Sequence, residues 1–298
     1  MRTVIFGQPK SGTTYLFSLL AEAKSDDALI EVFEPRSFDA TTKMFSRRDG
    51  KTWPMSDKML VKVLYADSNM KSGWFADEAR AVFKDFDQKI FIVRDPRDRW
   101  ISGFFYKWFH LHRPDPEDFR RAYELTCQKE QDPSSVPFHT MLSDQADELQ
   151  QWANRYKASL DELSDQLDAL KEEGWHIVKY EDLVDKRWSH LERYLGLTLS
   201  KDHGLRASFK HVSRSNRHSN WRNWFTPEDI EFYSPVFNDF LQAQGYNIND
   251  WRLNQVDSLP SKEGSEYMHR LFHHPNGPHA IKVPLFDRVI AKLKSLFK

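Results

Sequence analysis

One lysine, one serine, two threonines and two glycines are crowded into a single turn near the start of the chain, GQPKSGTT, Gly7–Thr14. Lys10, Ser11, Gly12, Thr13 and Thr14 offer what a phosphate or sulfate group needs: a cation, hydroxyl donors, and a glycine that lets backbone N–H groups approach an anion closely. The turn follows TVIF, Thr3–Phe6, a short buried strand, and precedes YLFSLLAEA, Tyr15–Ala23, which has the length and spacing of a buried helix. The positive end of that helix dipole adds to the cradle. Gly7 and Gly12 have the separation of the Walker A pattern GxxxxGK[ST], but Thr13 stands where that pattern has its lysine. No convincing acidic ligand for magnesium follows, so Mg-ATP chemistry is disfavoured and a P-loop-type small-molecule kinase is the weaker alternative.

A second anion site lies in KIFIVRDPRDRWISGFF, Lys89–Phe105. The strand delivers Arg94 to its C-terminal end, where ligands of α/β proteins bind. Asp95 suits the N-cap of the next helix and Pro96 its first position. Ser102, two turns into that helix, and Arg94 could hold one phosphate from two sides, by hydroxyl and bidentate guanidinium. Arg97 and Arg99 read as surface or ion-paired charges.

These groups need a scaffold, and the rest of the chain describes one. Further short apolar runs stand at 29–33, 59–65, 89–95 and 175–183, with helical patterns between them, such as 74–86. Strands alternating with helices predict an α/β, P-loop-like three-layer fold with a mostly parallel central sheet of about five strands. Residues from about 105 to 174 read as a helical insert with helices at 117–131 and 143–173; a further helix spans 187–196, and Thr226–Pro227 reads as a helix start. A tail from about 253 is expected to be irregular to 281 and to end in an amphipathic helix, Pro284–Phe297. The whole chain, 1–298, reads as one domain.

The two anion motifs together resemble the signature of the sulfotransferases that use 3′-phosphoadenosine 5′-phosphosulfate (PAPS). Pro9–Thr14 matches the family's PKSGTT, and Arg94, Pro96, Asp98 and Ser102 match its R-x-P-x-D-x-x-x-S pattern. KYEDL at 179–183, SFK at 208–210 and RSNRHSNWRNWFT at 214–226 resemble later family segments, so the resemblance runs from about residue 3 to 246. It implies PAPS as co-substrate, PAP as product, no metal, and a hydroxyl-bearing acceptor. By the resemblance, Lys10 neutralises the bridging oxygen and Ser11–Thr14 hold the 5′-phosphate. Arg94 and Ser102 would hold the 3′-phosphate, with Tyr180 and Phe209 at the adenine or 3′ end. Either Arg214 or Arg217 would grip the cofactor, since Ser215–Asn216 depart from the family's basic-glycine pair.

Cytosolic phenol and steroid enzymes of the family use a histidine after the third strand, and LVKVLYAD has none. Carbohydrate-type members use a glutamate after the second strand. IEVFEPRSF, 30–38, offers Glu34 there, before the strand-breaking Pro35, with a loop ion pair to Arg36 as the competing reading. Lys62 reads either as a structural pair of a buried carboxylate or as a group that touches the sulfonate or orients Glu34. The resemblance therefore points to a sugar, glycoconjugate or glycolipid acceptor.

Composition limits the alternatives. Lys plus Arg is 43 and Asp plus Glu 44, a net charge of -1, which argues against nucleic acid as partner. Cys127 is the single cysteine, so no intrachain disulfide or CxxC site exists. No apolar run nears the ~20 residues of a membrane helix, and Met1 leads straight into the first strand without a signal-peptide pattern, so a cytoplasmic location is expected. Aromatic residues reach 14%, which favours stacking surfaces for sugars or bases. His269 and His273 have i,i+4 spacing, and with His274 and His279 read as a substrate rim rather than a metal site; His218 reads as a capping or hydrogen-bonding group. In 284–298 an apolar face including Leu285, Val289 and Leu293 opposes Arg288, Lys292, Lys294 and Lys298. That pattern suits a peripheral membrane contact or, more ordinarily, packing on the domain or on a dimer mate. Monomer and homodimer stay open, as does a non-catalytic nucleotide-binding or membrane-docking protein.

Overall fold

The computed structural model describes residues 1–24, 28–68, 73–110, 115–202 and 204–274. In chain order, β1 (Arg2–Gly7) feeds α1 (Thr13–Ala23) and β2 (Ile30–Phe33). Three short strands follow, β3 (Ser37–Asp39), β4 (Met44–Ser46) and β5 (Thr52–Pro54), then β6 (Met59–Leu64), α2 (Ala76–Phe83) and β7 (Gln88–Val93). The helical stretch is α3 (Pro96–His110), α4 (Pro116–Gln131) and α5 (Ala146–Glu172). After β8 (His176–Lys179) come α6 (Tyr180–Val184), α7 (Ser189–Leu195), α8 (Trp221–Trp224), α9 (Pro227–Ala243) and α10 (Ser265–Phe272).

The five long-range strands form one parallel sheet in the order β2-β6-β1-β7-β8. Alternation along the strands builds two cores. Val4, Phe6, Val61, Val63, Phe91 and Val93 face α2, α3, α5 and α9. Ile5, Leu60, Ile90, Ile92 and Val178 face α1, α6 and α7. A fully buried side chain such as Phe6 contributes roughly 1.5–3 kcal/mol. The expected three-layer parallel α/β fold is what forms, and the sheet's C-terminal edge gathers the ends of β1, β2, β6 and β7 on one side.

Local chemistry sets the helix starts. Asp95 Oδ1 accepts from Arg97 N at 2.9 Å, capping α3 with Pro96 in the first position. Thr226 and Asp229 form a reciprocal capping box on α9, and Gly196 closes α7 in the left-handed conformation, φ 67°.

Two features differ from the sequence reading. The segment after β2 folds into an antiparallel three-stranded meander, β3-β4-β5, whose Phe38, Phe45 and Trp53 pack inward. Three-residue strands are too short to show a period in sequence. The tail is not irregular throughout: α10 forms because Tyr267, Met268 and Leu271 bury against α3 and α4, while Glu130 accepts from Ser265 N and Oγ, each at 2.6 Å. The expected helix Pro284–Phe297 and His279 lie outside the described residues. Among the described residues no helix is long and apolar enough to cross a membrane.

Candidate active site

The turn after β1 is held by Ser11. Its Oγ donates to Gln8 O at 2.6 Å and its N–H to the same oxygen at 3.2 Å, so Ser11 is buried and closes the turn rather than lining the cavity above it. Gly12 follows with φ 96°, as N-cap of α1. A Cβ at Gly12 would come within 2.3 Å of the Tyr180 ring, so both the backbone conformation and the close approach of Tyr180 require glycine. Thr13, Thr14 and Tyr15 then line the cavity from the first turn of α1.

Lys10 takes a left-handed conformation, φ 69°, unusual for a non-glycine residue. Its ammonium donates to Val212 O at 2.8 Å and lies 3.7 Å from the centre of the Tyr106 ring. Burial, and then the charges of Arg94, Arg214 and Lys62, push the Lys10 pKa well below the ordinary lysine value.

Arg94 emerges from the end of β7 into the same space. One guanidinium nitrogen donates to Lys10 O at 2.9 Å, the group lies 4.2 Å over the Tyr180 ring, and Nε is buried with no hydrogen-bond partner among the described residues. Ser102 is buried on α3 and lines the cavity beside it. Arg97, by contrast, is neither at the surface nor in the cavity. It pairs with Asp95 and lies 4.1 Å over Trp221. Arg99 donates to Tyr156 Oη.

Asp98 is fully buried and accepts backbone N–H bonds from Ser219 and from Trp221, the latter at 3.0 Å. It thereby ties α3 to the loop at 213–221. That loop separates the two candidate arginines. Arg214 reaches the cavity wall with its side chain 3% exposed; Nη1 donates to Glu263 O at 3.1 Å, and Nε and Nη2 are buried with no hydrogen-bond partner among the described residues. Burial lowers its pKa from the ordinary arginine value. Arg217 is exposed, pairs with Glu263, and does not line the cavity.

The cavity enclosed by these groups has a volume of about 290 Å³. Its wall also includes residues with no role in the sequence reading, Val184 and Lys186 after β8, Gly204 and Leu205, Val212 and Ser213, together with Ser215 and Asn216, the pair that departs from the family pattern. Lys186 and Asn216 both have positive φ, 58° and 52°. Small polar residues at Ser215–Asn216 were the one available signal, since such residues tolerate that conformation.

Glu34 and Lys62 stand beside this cavity rather than in its wall. They form an ion pair with each other, not the loop pair of Glu34 with Arg36, and Lys62 is 1% exposed against 37% for Glu34. Burial lowers the Lys62 pKa while Glu34 opposes that shift. Tyr106 joins the two regions. Its ring carries the Lys10 ammonium, and its phenol is pushed up by burial and by the Glu34 charge. Phe209 does not line the cavity; it stacks on Phe33 with ring centres 4.7 Å apart, next to Glu34. Arg206 holds that segment to β2 through Glu31, at 2.5 and 2.7 Å.

The remaining described histidines contact neighbouring side chains, the His274 and His211 ring centres lying 4.7 Å apart. His269 and His273 have ring centres 4.4 Å apart, and His218 bridges Asp185 and Ser219. Among the described residues no group of three or more His, Cys, Asp or Glu side chains is placed to hold a metal ion.

Comparison with known proteins places the chain in a family. The model of the sulfotransferase domain family matches residues 1–203. A search of curated proteins gives no match. Among solved structures, mouse sulfotransferase SULT7A1 complexed with PAP is 13% identical, with 84% of this chain and 88% of that chain covered and a TM-score of 0.47. With the family model spanning the turn at Gly7–Thr14, the Arg94–Ser102 motif and β8, the chain belongs to the sulfotransferase family.

Proposed function

We propose that the protein transfers a sulfuryl group from PAPS to a hydroxyl of a carbohydrate or glycoconjugate acceptor, without a metal. One observation carries the reading. Among the described residues, Arg94 Nε and Arg214 Nε and Nη2 are buried at the cavity without hydrogen-bond partners, beside Lys10. Buried, unpaired guanidinium nitrogens are costly, and an anionic ligand offsets that cost by charge-assisted hydrogen bonds. The donor set, two arginines, a lysine and three hydroxyls, fits a ligand with separate phosphate groups.

PAPS supplies an activated sulfuryl group and departs as PAP. Thr13, Thr14 and the first turn of α1 hold the 5′-phosphate, and Arg94, Ser102 and Arg214 hold the 3′-phosphate. Tyr180, in the cavity wall, borders the nucleotide. Lys10 exchanges Val212 O for the bridging oxygen, where its charge stabilises the leaving group. Glu34 accepts the proton of the acceptor hydroxyl, and Lys62 orients Glu34.

Incubation with sulfur-labelled PAPS and a panel of glycans and small neutral alcohols tests this reading. Label should enter a glycan. Glu34→Gln keeps the shape and loses the proton acceptor, so turnover should fall by roughly 10²–10⁴ while PAP affinity stays nearly constant. A fully active Glu34→Gln variant, or label only in the alcohols, rejects the carbohydrate-type assignment.

A further inference from the structure

The chain is nearly neutral as a whole, yet from Arg36 to Lys51 it carries five cations, Arg36, Lys43, Arg47, Arg48 and Lys51, against two acids, Asp39 and Asp49. This is the meander that follows Glu34 directly. Its pairing brings most of that charge to one end. Arg36 N donates to Ser46 O at 2.6 Å, Ser46 pairs with Ser37 on one side and Thr52 on the other, and Arg47 N donates to Lys51 O at 2.8 Å. Arg36, Arg47, Arg48 and Lys51 therefore share the end that continues into Pro35 and Glu34, while Asp39 and Lys43 belong to the far end.

The inner face of the meander is committed to the core through Phe38, Phe45 and Trp53. Asp49 neutralises Arg47 alone, with Nε to Oδ1 at 2.9 Å. Among the described residues neither Arg36 nor Arg48 is in an ion pair, and both are exposed. Glu34 lies close enough to help hold Arg47 in its charged form. A basic hairpin placed for solubility alone has no reason to adjoin the acceptor side of the site, in a chain whose net charge is -1.

We propose that Arg36, Arg47, Arg48 and Lys51 bind an anionic group of the acceptor, a carboxylate or a sulfate ester, which makes the acceptor an acidic saccharide rather than a neutral one. The inference rests on the sulfuryl-transfer reading and deepens it. Arginine grips carboxylate and sulfate oxygens in a bidentate manner. The cluster also offsets the repulsion that an acidic acceptor meets at Glu34. Because Arg36, Arg48 and Lys51 are exposed and Arg47 is about one-third exposed, each contact is modest and salt-sensitive.

The test is calorimetric binding of two probes to the full chain: a tetrasaccharide of alternating uronic acid and hexosamine, and the same tetrasaccharide with its carboxyl groups reduced to alcohols. The acidic probe should bind at least tenfold more tightly at low salt, and the difference should shrink at high salt. In an Arg36→Ser/Arg48→Ser variant the affinity for the acidic probe should fall roughly tenfold, about fivefold being the upper end for one exposed ion pair. The reduced probe should be unaffected. Equal affinity of the wild type for both probes, or an unchanged affinity in the variant, overturns the proposal. Stabilisation of the wild type by PAP is measured alongside, so failure of the sulfuryl-transfer reading appears as absent stabilisation, and failure of the acceptor proposal as equal affinities.

Discussion

Lys10 stands among Arg94, Arg214 and Lys62, and burial together with these like charges favours its neutral form. Its folded pKa lies below that of a free lysine, so before an anion binds its charge is lost at a lower pH than the ordinary 10.5. If that charge serves the reaction, kcat/KM for PAPS should decline on the alkaline side well below pH 10.5, since this parameter reports the free enzyme. Lys10→Arg should move that limb upward. Lys10→Ala should reduce turnover more than PAP affinity, because the charge matters most as the bridging bond breaks; equal losses would contradict the role. At this scale the sequence indicated residue types better than their directions. Lys10, Thr13, Thr14, Arg94 and Ser102 could be found because the two motifs have fixed spacing. Ser11 pointed elsewhere, since a hydroxyl's rotamer is set by the turn it closes. Arg214 and Arg217 could be separated only by the fold, which buries one at the cavity and leaves the other in solvent.

The site is assembled where elements are tied together, and Asp98 is the tie. It lies in the first turn of α3, has no exposure, and receives two backbone N–H groups from the loop that carries Arg214. Hydrogen bonds to a charged acceptor contribute about 1.5–3 kcal/mol. Asp98→Asn keeps the volume but gives up the charge and turns an amide donor toward a backbone donor. Melting temperature should fall, and the dissociation constant for PAP should rise by about tenfold or more as the loop loosens, each 1.4 kcal/mol being a factor of ten. An Asp98→Asn protein with unchanged PAP affinity would show that the loop is placed without this contact. The parallel strands were legible because strands buried on both faces read as continuous apolar runs. The meander was not, and neither was α10: three-residue strands and a two-turn helix carry too little pattern, and their formation depends on partners distant in sequence, such as Phe83 for Phe45 and Glu130 for Ser265.

Across the whole molecule, a net charge of -1 conceals a strongly uneven distribution. Lys10, Lys62, Arg94 and Arg214 converge at the C-terminal edge of the sheet, and Arg36, Arg47, Arg48 and Lys51 extend that positive field onto the meander. Such focusing draws anionic ligands to one face, which composition alone could not reveal. The central claim, that this face takes PAPS without a metal, is tested most directly by thermal unfolding of the full chain with PAP in the presence of EDTA. At PAP 100-fold above its dissociation constant, linkage gives about 2.7 kcal/mol of stabilisation, a rise on the order of 5 °C for a chain of this size. The rise should persist in EDTA and should largely disappear, at the same PAP concentration, in Arg94→Ala. A stabilisation that EDTA abolishes, or one that ATP with magnesium produces and PAP does not, would contradict the account.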